Sequence, residues 1–453
     1  MSQFACSIRQ QQQQGAHVLV LVIARASLVL NSCFPAHAIL AFVSPGIERH
    51  NKESVLMGTA IGSSTFLLLL TLVFFRLSRI SCVRLHLRLQ MNSGPIVVGG
   101  GPAGLSTALM LAKKGFSNIK VYERLPEYPR SDDSTVWENQ RSYVIGINGR
   151  GQKVLKWLGV MDRLDAHAIT VVGRRDWSPE SPEEPKESLT VIGKDKSYYT
   201  KCITRDRLAA ILHDEVKTSF ADKIKVHFDV ECTGVGWENE NKPNEMCCLN
   251  LLRNGTAFTD SSNFVIGADG ANSKVREVME LKGENGFKTQ KFGDNNIRVY
   301  KTIPLHIPSK KFLNYSARTK SGINIDALPT NKDEYLGVVL FRPWDERVNG
   351  LRDVENAKEF FDNTFPMFSD AVKEEDLYEF ANKEPSRFPI FSYSGPVLHK
   401  GSSTCIIGDT IHTVKPYFGQ GVNSAFEDVI VLGNALSKAE GDVGRGKNKN
   451  QQI

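Results

Sequence analysis

The chain has 453 residues, and its 56 Lys and Arg against 50 Asp and Glu give a formal net charge of +6. Residues 1–90 hold eight of the basic residues and two of the acids, so residues 91–453 carry 48 of each and are formally neutral. A neutral body lacks the basic surface that nucleic-acid binding requires, so we expect no nucleic-acid partner. The roughly 350 residues of this body can form one large core or two interlocked domains.

Residues 1–90 form a hydrophobic and basic leader. Within it, residues 55–75 are uncharged, long enough to cross a hydrocarbon core of about 30 Å, and they are followed by four arginines. This pattern favours a transmembrane helix over 55–75 that anchors the chain with its C-terminal body facing the cytosol. Residues 1–47 contain no acid, so an organelle-targeting leader is an alternative. A soluble cytosolic chain that begins near Met91 is a third.

A glycine-rich turn follows the apolar run Ile96-Val97-Val98, with Gly99, Gly101 and Gly104 in G-x-G-x-x-G spacing before an amphipathic helix at 105–114. Glu123 ends the next apolar strand, 19 positions after Gly104. This order of strand, glycine turn, helix and acid is typical of a dinucleotide-binding βαβ unit. We expect the pyrophosphate of an adenine dinucleotide at the helix N-terminus and the adenosine ribose at Glu123.

Two later strand ends identify the dinucleotide. Residues 264–268 lead into Asp269-Gly270, and Cys405-Ile406-Ile407 leads into Gly408-Asp409. A long flavin nucleotide lies across a sheet and meets several strand ends, whereas a nicotinamide dehydrogenase needs no such distant carboxylates. The sequence therefore predicts FAD as cofactor and an α/β fold with a Rossmann-type FAD-binding domain.

The flavin motifs lie far apart, which predicts a discontinuous FAD-binding domain made of residues 95–170, 202–290 and 400–436. Residues 145–215 read as helical pieces, whereas 297–342 has the alternating pattern of strands, and helices are predicted at 353–364 and 368–382. We therefore expect an interleaved antiparallel-sheet substrate domain from 171–201 and 291–399. Residues 437–453 are predicted to be a polar tail.

After Asp409 comes a Pro- and Gly-rich loop, Pro416-Tyr417-Phe418-Gly419-Gln420-Gly421-Val422-Asn423, which precedes a helix predicted to end near Leu436. The succession of G-x-G-x-x-G, D-G and G-D…P-x-x-G-Q-G-x-N resembles the class A, single-component FAD-dependent aromatic hydroxylases. The resemblance covers roughly residues 95–436. It implies an oxidoreductase that uses NADPH and O2 to hydroxylate a small, kynurenine-like aromatic substrate. Two alternatives stay open: a flavin monooxygenase that acts on a different ring, and a non-catalytic or regulatory FAD-binding protein.

The resemblance also assigns site residues. It implies that the loop carrying Pro416, Gly419 and Gly421 forms the wall where oxygen reacts, and that Asp269 serves both FAD and NADPH. The expected cofactor-binding residues are Gly99, Gly101, Pro102, Ala103, Gly104, Glu123, Arg124, Arg141, Arg205, Asp269, Gly270, Asp409, Gly421, Val422 and Asn423.

The substrate assignment depends on one short match. Gly173-Arg174 resembles a family segment whose arginine binds an amino-acid carboxylate, a task that suits the guanidinium fork. Arg174 as a plain surface charge is the alternative. Relatives continue beyond the position of Ile453 with a helical region over the substrate pocket, so we expect a C-terminally shortened form. No metal site is expected, because the cysteines and histidines show no metal-ligand spacing.

Overall fold

The computed structural model describes residues 94–137, 143–193, 197–242, 244–293, 297–416 and 419–449. The strands in these ranges, in chain order, are β1 Ile96–Val98, β2 Ile119–Tyr122, β3 Val144–Ile147, β4 Ile169–Val171, β5 Gly173–Trp177, β6 Lys186–Leu189, β7 Thr200–Thr204, β8 Ile224–His227, β9 Val230–Glu238, β10 Met246–Arg253, β11 Thr256–Ser262, β12 Val265–Gly267, β13 Lys288–Phe292, β14 Val299–His306, β15 Leu313–Arg318, β16 Asn324–Pro329, β17 Glu334–Phe341, β18 Ser386–Arg387, β19 Phe391–Gly395, β20 His399–Lys400, β21 Thr404–Ile406 and β22 His412–Thr413.

Helices connect and cover these strands. The α-helices are α1 Pro102–Lys113, α2 Ser134–Trp137, α3 Gly149–Leu158, α4 Met161–His167, α5 Arg205–Ser219, α6 Lys274–Lys282, α7 Glu346–Asn349, α8 Val354–Thr364, α9 Glu374–Asn382 and α10 Gly421–Lys449. Short 3-10 helices lie at Glu284–Gly286, Pro366–Ala371 and Gly408–Thr410.

The nucleotide-binding part is a six-stranded sheet in the order β20-β21-β12-β1-β2-β8. The pairs from β21 to β8 are parallel, and only β20 is antiparallel to its neighbour. Parallel strands are buried on both faces, which explains why β1 and β12 are continuous apolar runs with every residue buried. Helix α1 is buried along most of its length because β2, α5 and α10 pack around it. This arrangement brings the ends of β1, β12 and β21 to one edge, as predicted for the Rossmann-type fold.

A second core lies in a seven-stranded sheet in the order β18-β14-β17-β16-β15-β5-β6. Its pairs are antiparallel except β15 with β5. Aromatic residues from α8 and α9, such as Phe361 and Phe380, pack with Phe341 of β17 on one face of this sheet. The prediction of strands over 297–342 is therefore confirmed, as is the antiparallel character of the sheet.

The small sheet β3-β7-β4 contacts the other face of the seven-stranded sheet. Val144, Val171 and Cys202 of the small sheet form a buried cluster with Leu336 of β17. Because β7 leads directly into α5, this contact places the N-terminus of α5 between the two larger sheets. Two further three-stranded sheets, β11-β10-β9 and β13-β19-β22, complete the described part.

Three local expectations are wrong. Residues 145–215 contain strands β3 to β7 besides helices, since their short apolar segments pair with strands that are distant in sequence. The helix expected over 368–382 is divided into the 3-10 helix Pro366–Ala371 and α9, with Val372 and Lys373 extended between them. Helix α10 does not end near Leu436. Its backbone stays helical to Lys449, within residues 437–453 that were predicted to be a polar tail.

Candidate functional site

The glycine turn after β1 has the geometry of a phosphate cradle. Gly99 has φ +103°, and a Cβ on Gly104 would lie 1.8 Å from the Gly99 carbonyl oxygen, so both positions require glycine. Gly101 precedes α1 without a side-chain cap, and Pro102 takes the first helical position. Ala103 is half-buried against the core. The first-turn amides of α1 are thus directed at the space that an anionic group would fill.

Glu123 closes this cradle from the end of β2. It is buried, and its Oε2 accepts from Gly100 N at 2.6 Å while its Oε1 accepts from Leu125 N at 2.9 Å. Tyr128 lies on the same side, where its hydroxyl donates to Gly100 O at 3.2 Å. Arg124 is exposed beside Glu123. Backbone donors therefore fix the carboxylate, and each oxygen keeps further acceptor capacity for a ribose hydroxyl.

Arg205 brings a positive charge to the cradle. It is the first residue of α5, and a Cβ on Gly101 would lie 3.4 Å from its Nη2 and meet no other atom within 4 Å. Its guanidinium is about half exposed and pairs with Asp206 at 3.1 Å. Gly101 and Arg205, which are far apart in sequence, therefore face the same open space.

The second motif, Asp269-Gly270, is fixed by α6 and by the third motif. Asp269 accepts from Ser273 Oγ at 2.6 Å and from Lys274 N at 2.7 Å, which caps the start of α6. Thr410 Oγ1 accepts from Gly270 N at 3.1 Å and donates to Asp269 Oδ1 at 3.4 Å. Burial raises the pKa of the Asp269 carboxyl, although its hydrogen bonds act in the opposite direction. Thr410 thus joins the two predicted flavin motifs.

Asp409 lies where the third motif meets α10. A Cβ on Gly421 would lie 3.8 Å from Asp409 Oδ1, so the carboxylate is close to the N-terminus of α10. The side chain is open to solvent but surrounded by protein, which is the position of a group in a cleft. Desolvation raises the pKa of Asp409, and the charges of His412 and Arg205 counteract this effect. Arg276 fixes the backbone here by donating to Thr410 O at 3.3 Å.

The loop before α10 is held by Asn423. This side chain is fully buried, and its Nδ2 donates to Gly146 O at 2.9 Å and to Gly419 O at 2.8 Å, while its Oδ1 accepts from Asn148 N at 3.0 Å. Gly419 also donates its N–H to Pro416 O at 2.9 Å and has φ +58°. The structure therefore places Asn423 beneath the loop, where it connects the loop to β3.

His412 and Asp428 form a buried ion pair beside this loop. The ring Nε2 lies 2.7 Å from Asp428 Oδ2, which also accepts from Gly408 N at 2.9 Å. Burial alone would lower the pKa of His412, but the adjacent Asp428 carboxylate and its hydrogen bond, together with Asp409, outweigh it and raise the pKa to about 9. The Asp428 carboxylate therefore favours the protonated ring of His412. Among the residues that the structure describes, no group of three or more His, Cys, Asp or Glu side chains is placed to hold a metal ion.

Aromatic side chains lie near Asp409. Tyr143 precedes β3, and burial, followed by the neighbouring Tyr300 and Asp409, raises its pKa to about 12. Tyr300 of β14 stacks on Phe388 with 4.6 Å between the ring centroids. These rings connect the substrate-side sheet to the cleft at Asp409.

Arg174 lies elsewhere on this sheet. It pairs in register with Asn314, whose amide oxygen contacts Cys202 of β7, so Arg174 lies on the face toward the small sheet. Its guanidinium is exposed and pairs with Asp176 at 2.5 Å. The structure does not bring Arg174 into contact with any of the predicted flavin residues that it describes.

Some predicted features lie outside the described residues. These are Arg141, the aromatic pair Tyr417 and Phe418, and the candidate transmembrane helix 55–75. In the ranges that are described, no helix is both long and apolar enough to cross a membrane.

Several residues that hold the site were not identified from sequence. Thr410, Arg276 and Asp428 act through backbone atoms of other motifs, and Tyr143 and Tyr300 are near neighbours although they are far apart in sequence. Thr410 directly follows Gly408-Asp409, so a signal existed for this residue alone.

The chain matches a known family and several curated proteins. The family model described as "FAD binding domain" matches residues 94–448. Kynurenine 3-monooxygenase of Cryptococcus neoformans is 30% identical over 363 residues, which are 76% of this chain and 68% of that protein. The Candida albicans enzyme of the same name is 27% identical, over 77% of this chain and 73% of its own length. The Sus scrofa enzyme is also 27% identical, over 76% of this chain and 69% of its own length.

Solved structures show the same fold. p-Nitrophenol 4-monooxygenase from Pseudomonas putida superposes with a TM-score of 0.59 at 15% identity, covering 78% of this chain and 81% of that one. The tetrameric form of 2-methyl-3-hydroxypyridine-5-carboxylic acid oxygenase gives a TM-score of 0.57 at 18% identity, covering 78% and 85%. The chain therefore belongs to the FAD binding domain family, in which it is a class A FAD-dependent aromatic hydroxylase, a flavoprotein monooxygenase similar to kynurenine 3-monooxygenase.

Proposed function

We propose that this monooxygenase uses NADPH and O2 to hydroxylate a small aromatic acid of the kynurenine type. The observation that carries the proposal is the open space in front of Gly101, where an added Cβ would lie 3.4 Å from Arg205 Nη2, with the Asp409 carboxylate near enough for the Arg205 charge to lower its pKa. The curated relatives named above, all kynurenine 3-monooxygenases, support the substrate class.

The residues of the cradle fit FAD. The uncapped N-terminus of α1 and the Arg205 guanidinium would hold the pyrophosphate, and Glu123 would accept from the ribose. The space in front of Gly101, which meets only Arg205, is where the phosphates need room. When bound, FAD would accept two electrons from a pyridine nucleotide and transfer one oxygen atom of O2 to the substrate ring, while the other oxygen atom leaves as water.

The loop from Pro416 to Gly421 and the start of α10 would control charge and water. The N-terminus of α10 favours negative charge near Gly421, an effect of about 0.3–1 kcal/mol and up to ~2 when partly buried. The glycines let the backbone lie against a flat ring, and the loop would exclude water from the reacting atoms. Pro416, Gly419 and Gly421 are therefore proposed as the wall of the oxygen-reaction site, with Asp269 and Gly270 beside them.

The substrate would lie between this loop and the seven-stranded sheet. Tyr143, Tyr300 and Phe388 offer ring faces to an aromatic substrate. Arg174 on the same face of the sheet is proposed to bind the substrate carboxylate. To do so, it must exchange Asp176 for the substrate, because the two side chains are paired at 2.5 Å.

That ion pair favours a second candidate function. If Arg174 stays paired with Asp176, the cleft keeps its aromatic residues but has no arginine available to bind a substrate carboxylate. The chain would then hydroxylate a different ring that has no amino-acid carboxylate. The variant Arg174→Ala separates the two candidates, since it weakens kynurenine binding only in the first.

The decisive experiment uses the purified, FAD-loaded full chain. Its flavin absorbance is followed after anaerobic addition of NADPH, or of NADH for comparison, with and without kynurenine. We expect kynurenine to accelerate bleaching of the flavin bands and, in air, NADPH consumption to match hydroxylated product. Equal bleaching rates with and without kynurenine would assign the enzyme to another ring, and consumption that yields only hydrogen peroxide would contradict hydroxylation of kynurenine.

We also propose that residues 55–75 anchor the enzyme in a membrane with its catalytic part in the cytosol. The support is the uncharged run followed by Arg76, Arg79, Arg84 and Arg88. Fractionation of cells that express the full chain should place it in the alkali-resistant membrane pellet. Recovery in the soluble fraction, or import into an organelle, would favour the two alternatives given above.

A further inference from the structure

A cavity of about 630 Å³ lies behind the seven-stranded sheet, between the start of β14, the connection of α7 to α8, and residues 381–387. Four basic side chains, Lys301, Arg352, Lys383 and Arg387, line it together with one acid, Glu384. The lining therefore has an excess of three positive charges, in contrast to the formally neutral body as a whole. A concave surface lined by charge of one sign concentrates the field of that charge.

This cavity is separate from the flavin cleft. Lys301 is the neighbour of Tyr300 in β14, so their side chains point to opposite faces of the sheet. Tyr300 stacks on Phe388 and lies near Tyr143 on the side of the small sheet, whereas Lys301 packs against Phe380 of α9 with 5.5 Å between Nζ and the ring centroid.

Lys301 lies buried at the bottom of the cavity. Only 3% of the residue is exposed, and its Nζ donates to Phe380 O at 3.1 Å and Ala381 O at 3.2 Å. An ammonium has three donors, so the described residues leave one for a ligand. Burial lowers the pKa of Lys301, while the Glu384 carboxylate acts in the opposite direction. An anion in the cavity would compensate this buried charge better than the exposed Glu384 does.

Two guanidinium groups stand at the mouth. Arg352 is exposed and directs Nη1 to the carbonyl oxygens of Asn349 and Leu351, which leaves its other nitrogens available. Arg387 is exposed on β18, and no hydrogen bond from its side chain to another described residue is present. Lys383 is less available, because it donates to Thr302 and pairs with Glu379. Guanidinium forks bind phosphate through two parallel hydrogen bonds.

We propose that this cavity is a second ligand site, which binds a small organic anion carrying phosphate groups through Arg352, Arg387 and Lys301. Its volume lies in the range of about 300–1,000 Å³ typical of small-molecule sites, so the ligand is larger than one phosphate ion. Two kinds of ligand carry such phosphate groups: the phosphorylated adenosine end of a pyridine dinucleotide, and a free phosphorylated metabolite.

The test measures binding calorimetrically on the FAD-loaded full chain, so that FAD already fills the flavin pyrophosphate site. The probes are 2′,5′-ADP and inorganic pyrophosphate, at low ionic strength because salt screens such contacts. The variants are Arg352→Gln and Arg387→Gln, and the matched control is Arg253→Gln, an exposed arginine at the end of β10.

We expect one saturable site that weakens about tenfold in each cavity variant and is unchanged in Arg253→Gln, since each variant removes charged hydrogen bonds. Tighter binding of 2′,5′-ADP would identify the dinucleotide as source, and tighter binding of pyrophosphate would identify a free phosphate compound. Absence of saturable binding, or equal affinity in wild type and both cavity variants, would overturn the proposal.

Discussion

Asp428 connects two parts of the flavin site through a single oxygen atom. Its Oδ2 accepts from His412 at 2.7 Å and from Gly408 N at 2.9 Å, so α10 is fastened to the strand end that carries Asp409. Both side chains of the pair are buried. A buried carboxylate with a charged partner and a backbone donor is well compensated, whereas removal of either partner leaves the other uncompensated.

This pair predicts a pH dependence of stability. The folded-state pKa of His412, about 9, lies above the ordinary value of 6.5, so protonation favours the folded state. The contribution is complete below pH 6.5 and is lost as the pH rises through 9. We expect the free energy of unfolding, measured with urea, to fall between pH 7 and 10. Asp428→Asn keeps an oxygen for Gly408 N but removes the charge, so it should flatten this fall; an equal fall in the variant would contradict the assignment.

Thr410→Val tests the connection between the second and third flavin motifs. The variant keeps the side-chain volume of the buried Thr410 but removes the acceptor of the half-buried Gly270 N–H, so we expect a loss of about 1–2 kcal/mol in the free energy of unfolding and weaker FAD binding. Denaturation and flavin-fluorescence titration measure the two effects. Thr410→Ser should restore both, and Thr256→Val on exposed β11 should change neither. A Thr410→Val protein that matches wild type would contradict the role of the hydroxyl.

Gly101→Ala separates cofactor binding from folding. The added Cβ meets only Arg205 Nη2, at 3.4 Å, so the fold should tolerate it, whereas it occupies the space assigned to the pyrophosphate. We expect an unchanged unfolding free energy of the apoprotein and an FAD Kd raised about tenfold or more. Gly104→Ala is the contrasting variant, because its Cβ would lie 1.8 Å from Gly99 O and should prevent folding. Gly236→Ala, in open space, is the neutral control. Normal FAD affinity in Gly101→Ala would argue against the cradle.

Asn423→Ala should act mainly on stability. It removes the hydrogen bonds of a fully buried amide to three part-buried backbone groups that join β3 to the loop before α10, and we expect a loss of about 2–4 kcal/mol. The measurement is urea denaturation of the apoprotein, where no cofactor contributes. Asn382→Ala, which removes one exposed hydrogen bond to Tyr378 O, is the control. If the apoprotein kept its stability and lost only FAD affinity, Asn423 would instead be a direct cofactor ligand.

The flavin motifs were predictable because they are local. Gly99 to Gly104 combines a strand end, a turn that excludes side chains and a helix start within a few residues, and Glu123 follows at the distance of one βα unit. The strands over 297–342 were also predictable, since side chains that alternate between core and cleft leave a period of two in the sequence.

The small sheet β3-β7-β4 was not predictable in the same way. Its strands are short, and the central strand β7 is separated in sequence from both strands that pair with it. The pairing therefore depends on the surrounding packing. The division of 366–382 into two helices likewise depends on how Phe368 and Phe380 both reach the core of the seven-stranded sheet.

Sequence alone determined that this chain binds FAD, because the turn at Gly99, the approach of a pyrophosphate to Gly101 and the close packing at Gly104 each require glycine at a fixed spacing, and two later strand ends supply the Asp residues of a flavin site. Only the tertiary structure decided what surrounds the cofactor. Thr410, Arg276 and Asp428 join motifs that are more than a hundred residues apart or lie on different elements, and Tyr143 lies near Tyr300 of a different sheet. Such contacts follow no recognisable spacing in the sequence, since they arise from the way in which two sheets are placed against one another.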